Sequence, residues 1–107
     1  MENLTKLYGS WALVTGSTSG IGEAFAQLLA KRGYNLVLVS RNQNKLDKTK
    51  KNIDEKHDVQ IRTLAVDLYQ PDAIDRIIQK TNDLEIGLVI PNAGTENTGE
   101  LVDNDLL

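Results

Sequence analysis

Residues 11–33, WALVTGSTSGIGEAFAQLLAKRG, change hydrophobic period at a cluster of glycines. Trp11–Thr15 is a continuous apolar run of the length of a buried strand. From Gly20 to Arg32 the period becomes helical, with Ile21, Ala24, Phe25, Leu28 and Leu29 at i, i+3, i+4, i+7 and i+8. That spacing predicts one apolar helix face built from those residues. Gly33, just after Lys31 and Arg32, is a helix stop with cations in the last turn. A strand that runs through a tight glycine turn into a helix commits the chain to a βα unit, because the apolar helix face must be buried against the sheet that the strand joins.

The same alternation continues. NLVLVS, residues 35–40, is a second apolar strand, and its lack of polar alternation suits cover on both faces. Residues 43–56 form a polar helix in which only Leu46 and Ile53 are clearly apolar. Residues 59–67, VQIRTLAVD, form a third strand. Pro71 opens another helix, where proline is tolerated, with Ile74, Ile77 and Ile78 as its buried stripe. LEIGLVI, residues 84–90, is a fourth strand interrupted by Gly87. The tail from Ala93 is loop-like, with a helix start near Asp103. The order β-α-β-α-β-α-β implies an α/β fold, a doubly wound parallel sheet of about four strands with flanking helices. The 107 residues suit a single domain over 1–107.

Composition narrows the partners. Net charge is −3 and hydrophobic residues make up 40 %, the values of an ordinary globular chain. Nine of the twelve basic residues fall between Lys31 and Arg62, but the lysines interleave with Asp47, Asp54 and Glu55 on a solvated helix, so nucleic acid is not the expected partner. No apolar run approaches the roughly 18 residues that span a bilayer. MENLTKLYGS lacks the apolar core of a signal peptide, so the expected compartment is the cytoplasm and no membrane partner is expected. With no cysteine, thiolate and disulfide chemistry are excluded for these residues. His57, the only histidine, has no second ligand nearby in sequence, and no metal is expected. Trp11 and Phe25 read as core residues.

The turn itself, Gly16-x-x-x-Gly20-x-Gly22, sits where a strand meets a helix, the context that gives such a motif meaning. Gly16 can take a backbone conformation closed to other residues and end the strand sharply. Gly20 lets the chain pass close to a ligand, and Gly22 lets the helix approach the sheet. First-turn amides around Ile21 and Gly22 then face an anion, aided by the helix dipole. Thr15, Thr18 and Ser19 are hydroxyl donors in the same turn. A ligand-free βα turn is the competing explanation.

Thr15-Gly16-x-x-x-Gly20-Ile21-Gly22 resembles the T-G-x-x-x-G-I-G turn of the short-chain dehydrogenase/reductase family. Asp67-Leu68 is similar to its adenine-side Asp motif, and Asn92-Ala93-Gly94 to the end of its N-N-A-G motif, so the likeness covers residues 11–94. The resemblance implies a Rossmann-like fold and a nicotinamide dinucleotide. It implies that Asp67 accepts from the adenine amino group with the Leu68 amide nearby, and that Asn92 braces the sheet or touches the ribose. Pro91 stands where the family has its first Asn, which removes a bracing amide.

The end of the second strand selects the nicotinamide. An acid there bonds the ribose 2′-hydroxyl; an arginine suits a 2′-phosphate. Here it reads Ser40-Arg41-Asn42, and no Asp or Glu occurs in residues 33–46. Arg41 is a permanently charged planar fork, and Ser17 offers a hydroxyl to the same phosphate. The expectation is NADP, NADPH over NADH.

In that family a Tyr moves the proton and a Lys four residues later lowers its pKa. Tyr8, Tyr34 and Tyr69 are followed four residues on by Ala12, Leu38 and Ala73, so these residues contain no such pair. The expectation is an N-terminal, truncated cofactor-binding part of a carbonyl-reducing or alcohol-oxidising enzyme, with no catalytic residue of its own. A catalytically silent dinucleotide-binding or interaction module and a non-functional remnant stay open beside it. An unpaired apolar edge at the fourth strand would favour self-association or a homo-oligomer.

Overall fold

Parallel strands covered on both faces must be apolar throughout, and the central two are. β1 (Trp11–Thr15) and β2 (Asn35–Ser40) are buried along their length save for their first residues. In the computed structural model, which describes residues 10–92, they pair in parallel with Leu13 beside Val37 and Val14 beside Leu38. β3 (Ile61–Ala65) lies outside β2, and β4 (Ile86–Ile90) outside β1, all parallel, in the order β3-β2-β1-β4. The connecting helices are α1 (Gly20–Lys31), α2 (Gln43–Asp54) and α3 (Ala73–Thr81). Ala93, Gly94 and the helix start expected near Asp103 lie outside the described residues.

Alternate residues of each strand face opposite layers. Ala12, Val14, Leu36 and Leu38 pack with Ala26 and Leu29 of α1 and Leu46 and Ile53 of α2. Leu13, Val37 and Val39 pack on the other side with Leu64, Ala73 and Ile77. Helices on both faces of a parallel sheet make the doubly wound Rossmann-like arrangement. Thr49 completes the buried row of α2 between Leu46 and Ile53.

The strand and helix order agrees with the sequence reading, but two helix faces do not. α1 buries Gly22, Ala26, Leu29 and Ala30. Of the expected face only Leu29 is inside; Ala24 is exposed, and Ile21, Phe25 and Leu28 are 51 %, 41 % and 45 % exposed. Phe25 is therefore not a core residue, while Trp11 is half-buried against the second core layer. α3 buries Ala73, Ile77 and Thr81, leaving Ile74 and Ile78 outside. It begins at Ala73, with Pro71 in the turn before it. β3 is shorter than the expected 59–67. At β4, Trp11 pairs with Ile86 and Ala12 with Leu88, so Gly87 is the extra residue of a bulge, the physical form of the interruption expected there.

An ion pair closes the sheet end opposite the glycine turn. The Arg62 guanidinium donates to both carboxylate oxygens of Asp83 at 2.9 and 3.0 Å and to the Lys80 carbonyl at 2.8 Å. It also lies 5.8 Å from the centre of the Trp11 ring. Hydrogen bonding from Arg62 holds the Asp83 carboxyl below the usual carboxylate range. The native state therefore favours the ionised form. That contribution is present above the ordinary carboxylate pKa of about 4 and is lost as pH falls through the lowered value. Asp83→Asn should lower the thermal midpoint at pH 7 and narrow the difference between pH 7 and pH 3, as read by circular dichroism melts; an unchanged difference would refute this.

Candidate functional site

The site grows from the end of β1. Gly16 has φ 62°, left-handed backbone that turns the chain sharply after Thr15. Ser19 then caps α1: its Oγ accepts from the Gly22 amide at 3.1 Å and donates to the Gly16 carbonyl at 2.9 Å. The same oxygen accepts from Asn92 Nδ2 at 3.2 Å. The Asn92 amide donates to Thr15 Oγ1 at 2.8 Å. One short network thus ties the end of β4 to the turn after β1. β1 and β4 are neighbours in the sheet, and both of these segments follow the carboxyl ends of their strands, where open α/β sheets bind ligands.

The glycines differ in what requires them. A Cβ on Gly22 would collide with the Gly16 carbonyl and come within 2.9 Å of Asn92 Nδ2, so packing demands glycine there. A Cβ on Gly20 would meet nothing within 4 Å. The Gly22 amide is used by the Ser19 cap, which removes it from the anion-facing donors expected in the sequence reading. The amides of Gly20 and Ile21 have no acceptor among the described residues.

Beside this turn opens a cleft of about 760 Å³. Thr18, Ser19 and Gly20 form one wall; Arg41, Asn42 and Lys45, at the start of α2, form the other. No carboxylate lines it among the described residues. Arg41 is exposed there, as a phosphate reader must be. Thr18 Oγ1 lies 3.0 Å from Ser40 Oγ, joining the two walls. Ser17 is placed otherwise. It is fully buried and its hydroxyl donates to the Val39 carbonyl at 3.4 Å, so it does not reach the cleft; Thr18 stands there instead. The physical reason is that Ser17, first after the left-handed Gly16, is still hydrogen-bonded to β2 through its own amide.

Asp67 shapes a turn. Its Oδ1 accepts from the Tyr69 amide at 2.9 Å and its carbonyl from the Gln70 amide at 3.0 Å. Leu68 packs against the second core layer. Asn42, the α2 cap, and Lys45 were missed in the sequence. Their signal was available: Asn42 opens a helix pattern, and Lys45 sits in a first turn that contains no acid.

A family model for short chain dehydrogenases matches residues 10–106. The very-long-chain 3-oxoacyl-CoA reductase of Mus musculus is 50 % identical over 86 residues, 80 % of this chain and 28 % of that protein. A solved 7beta-hydroxysteroid dehydrogenase superposes with a TM-score of 0.77 at 34 % identity, over 80 % of this chain and 34 % of its own. A short-chain dehydrogenase from Sphingobium yanoikuyae, solved in complex with NADPH, does so with 0.72 at 33 % identity, over 87 % and 40 %. The chain spans about 28 % of the length of the curated relatives it matches. With turn, strand order and these matches in agreement, the chain belongs to the short-chain dehydrogenase family.

Proposed function

We propose that this chain holds NADP(H), NADPH in preference to NADH, as the cofactor-binding part of an enzyme that reduces carbonyls or oxidises alcohols. The observation that carries the reading is Gly20. Nothing in the protein's own packing requires a glycine there, and the amides of Gly20 and Ile21 have no acceptor among the described residues. A pyrophosphate fits that need, since it brings its own acceptors against bare backbone. The carboxylate-free cleft with Arg41 supports a 2′-phosphate beside it, and a relative solved with NADPH supports the same cofactor.

In this reading Gly16, Ser19 and Gly22 shape the turn, Gly20 and Ile21 face the pyrophosphate, and Arg41 reads the 2′-phosphate. Asp67 and Leu68 take the adenine side, and Asn92, Ala93 and Gly94 the side toward the nicotinamide ribose. The cofactor supplies hydride; these residues bind and orient it. Hydride transfer belongs to the whole enzyme. A 3-oxoacyl thioester is the substrate class that the similarity to the Mus musculus very-long-chain 3-oxoacyl-CoA reductase suggests.

Titration calorimetry of the chain with NADPH and NADH tests this directly, and binding of neither by the folded chain would refute it. Gly20→Ala sharpens the test. Alanine in a helix turn is favoured over glycine by about 0.5–1 kcal/mol, so the urea midpoint should hold or rise. NADPH should nonetheless bind roughly 10-fold more weakly, about 1.4 kcal/mol, as the methyl enters the ligand's space. Unchanged affinity would argue for a ligand-free turn.

The reading includes self-association of the chain. Ile21, Phe25 and Leu28 line one exposed helix face, and Val89 of the outermost strand β4 is 54 % exposed. Sedimentation should show mass rising with concentration; a concentration-independent monomer would contradict it.

A further inference from the structure

We infer that Lys45 is a second reader of the cofactor's 2′-phosphate, acting beside Arg41; this rests on the NADP(H) reading above. Lys45 lines the same cleft as Arg41, and no carboxylate among the described residues does. Its ammonium is exposed and makes no ion pair or hydrogen bond among the described residues. Lys50 of the same helix is different: it pairs with Asp54, one turn further along, at 3.6 Å.

Its position is electrostatically unfavourable in the free protein. Lys45 occupies the first turn of α2, where the helix dipole is positive. α1 and α3 carry acids in their first turns, Glu23 and Asp75; α2 carries none. Asn42 Oδ1 caps the Lys45 amide at 3.0 Å, so the backbone there is already satisfied and the side chain is not needed for capping. The Lys45 ammonium beside the positive end of the helix dipole, in a cleft that Arg41 also lines, favours an anion in that cleft. A phosphate monoester with close to two negative charges meets that preference, whereas a ribose 2′-hydroxyl does not. Lys45 therefore acts on the choice between NADPH and NADH rather than on dinucleotide binding in general.

The experiment uses the full chain, titrated with NADPH and with NADH at low and physiological salt. Lys45→Gln should weaken NADPH about 5-fold, the size expected of an exposed charge pair, and leave NADH within 2-fold. Lys45→Arg should restore NADPH binding. Lys45→Glu should weaken NADPH further while raising the urea midpoint of the free chain, because the dipole conflict is removed. If the parent prefers NADPH and Lys45→Gln shifts neither ligand, or both equally, the inference is overturned and the NADP(H) reading stands. If the parent shows no preference for NADPH, that reading and the inference fall together.

Discussion

Gly22→Ala is expected to destabilise the chain by about 3 kcal/mol, at the upper end of the usual overpacking range. The new methyl would enter the Gly16 carbonyl, which is backbone and cannot swing aside, and would press on Asn92 Nδ2 as well. Relief requires α1 to move off the sheet, which would uncover Ala26, Leu29 and Ala30 together. Against a total stability of roughly 5–15 kcal/mol this is a large fraction. The urea midpoint should fall with its slope unchanged, and NADPH affinity should fall with it. A midpoint within error of the parent would show that Gly22 does not sit under the turn as described. The contrast with Gly20→Ala is informative: two glycines two residues apart should fail in opposite ways, one in folding and one in binding.

The second large effect is expected at Arg41. Arg41→Ala should weaken NADPH by roughly 10- to 100-fold, the span of about 1.5–3 kcal/mol for a hydrogen bond to a charged group. NADH should change less than 2-fold, since it offers the guanidinium no phosphate at that position. Arg41→Asp should reverse the preference, because the carboxylate accepts from the 2′-hydroxyl and repels a 2′-phosphate. Equal losses for both nucleotides would mean that Arg41 does not read the 2′ position.

The strands and the turn were legible because backbone sterics and burial leave few alternatives. Gly16 at positive φ and the two-face burial of β1 and β2 are conditions that only certain residues meet. Helix rotation was not legible. α1 offers two rows at helical spacing: Ile21, Phe25 and Leu28, or Gly22, Ala26, Leu29 and Ala30. Hydrophobicity alone favours the first. The second is buried because Gly22 must abut Gly16, a contact 6 positions back that fixes the helix's rotation before its large side chains have a say. α3 shows the same one-residue offset, with Ala73, Ile77 and Thr81 inside and Ile74 and Ile78 outside. Ser17 was misplaced for a related reason. A hydroxyl beside a phosphate-binding turn looks available in sequence, but its own amide is still bound to β2.

The Ser19 hydroxyl accepts from Asn92, a residue 73 positions away, while capping the helix that faces the ligand. The turn is thereby thermodynamically linked to the docking of β4. A nucleotide that prefers the braced turn must, by reciprocity, strengthen the attachment of that strand. Amide exchange along β4 should then slow on adding NADPH, although the strand itself need not touch it, and the cofactor acts as the late clamp on the fold's longest-range pairing.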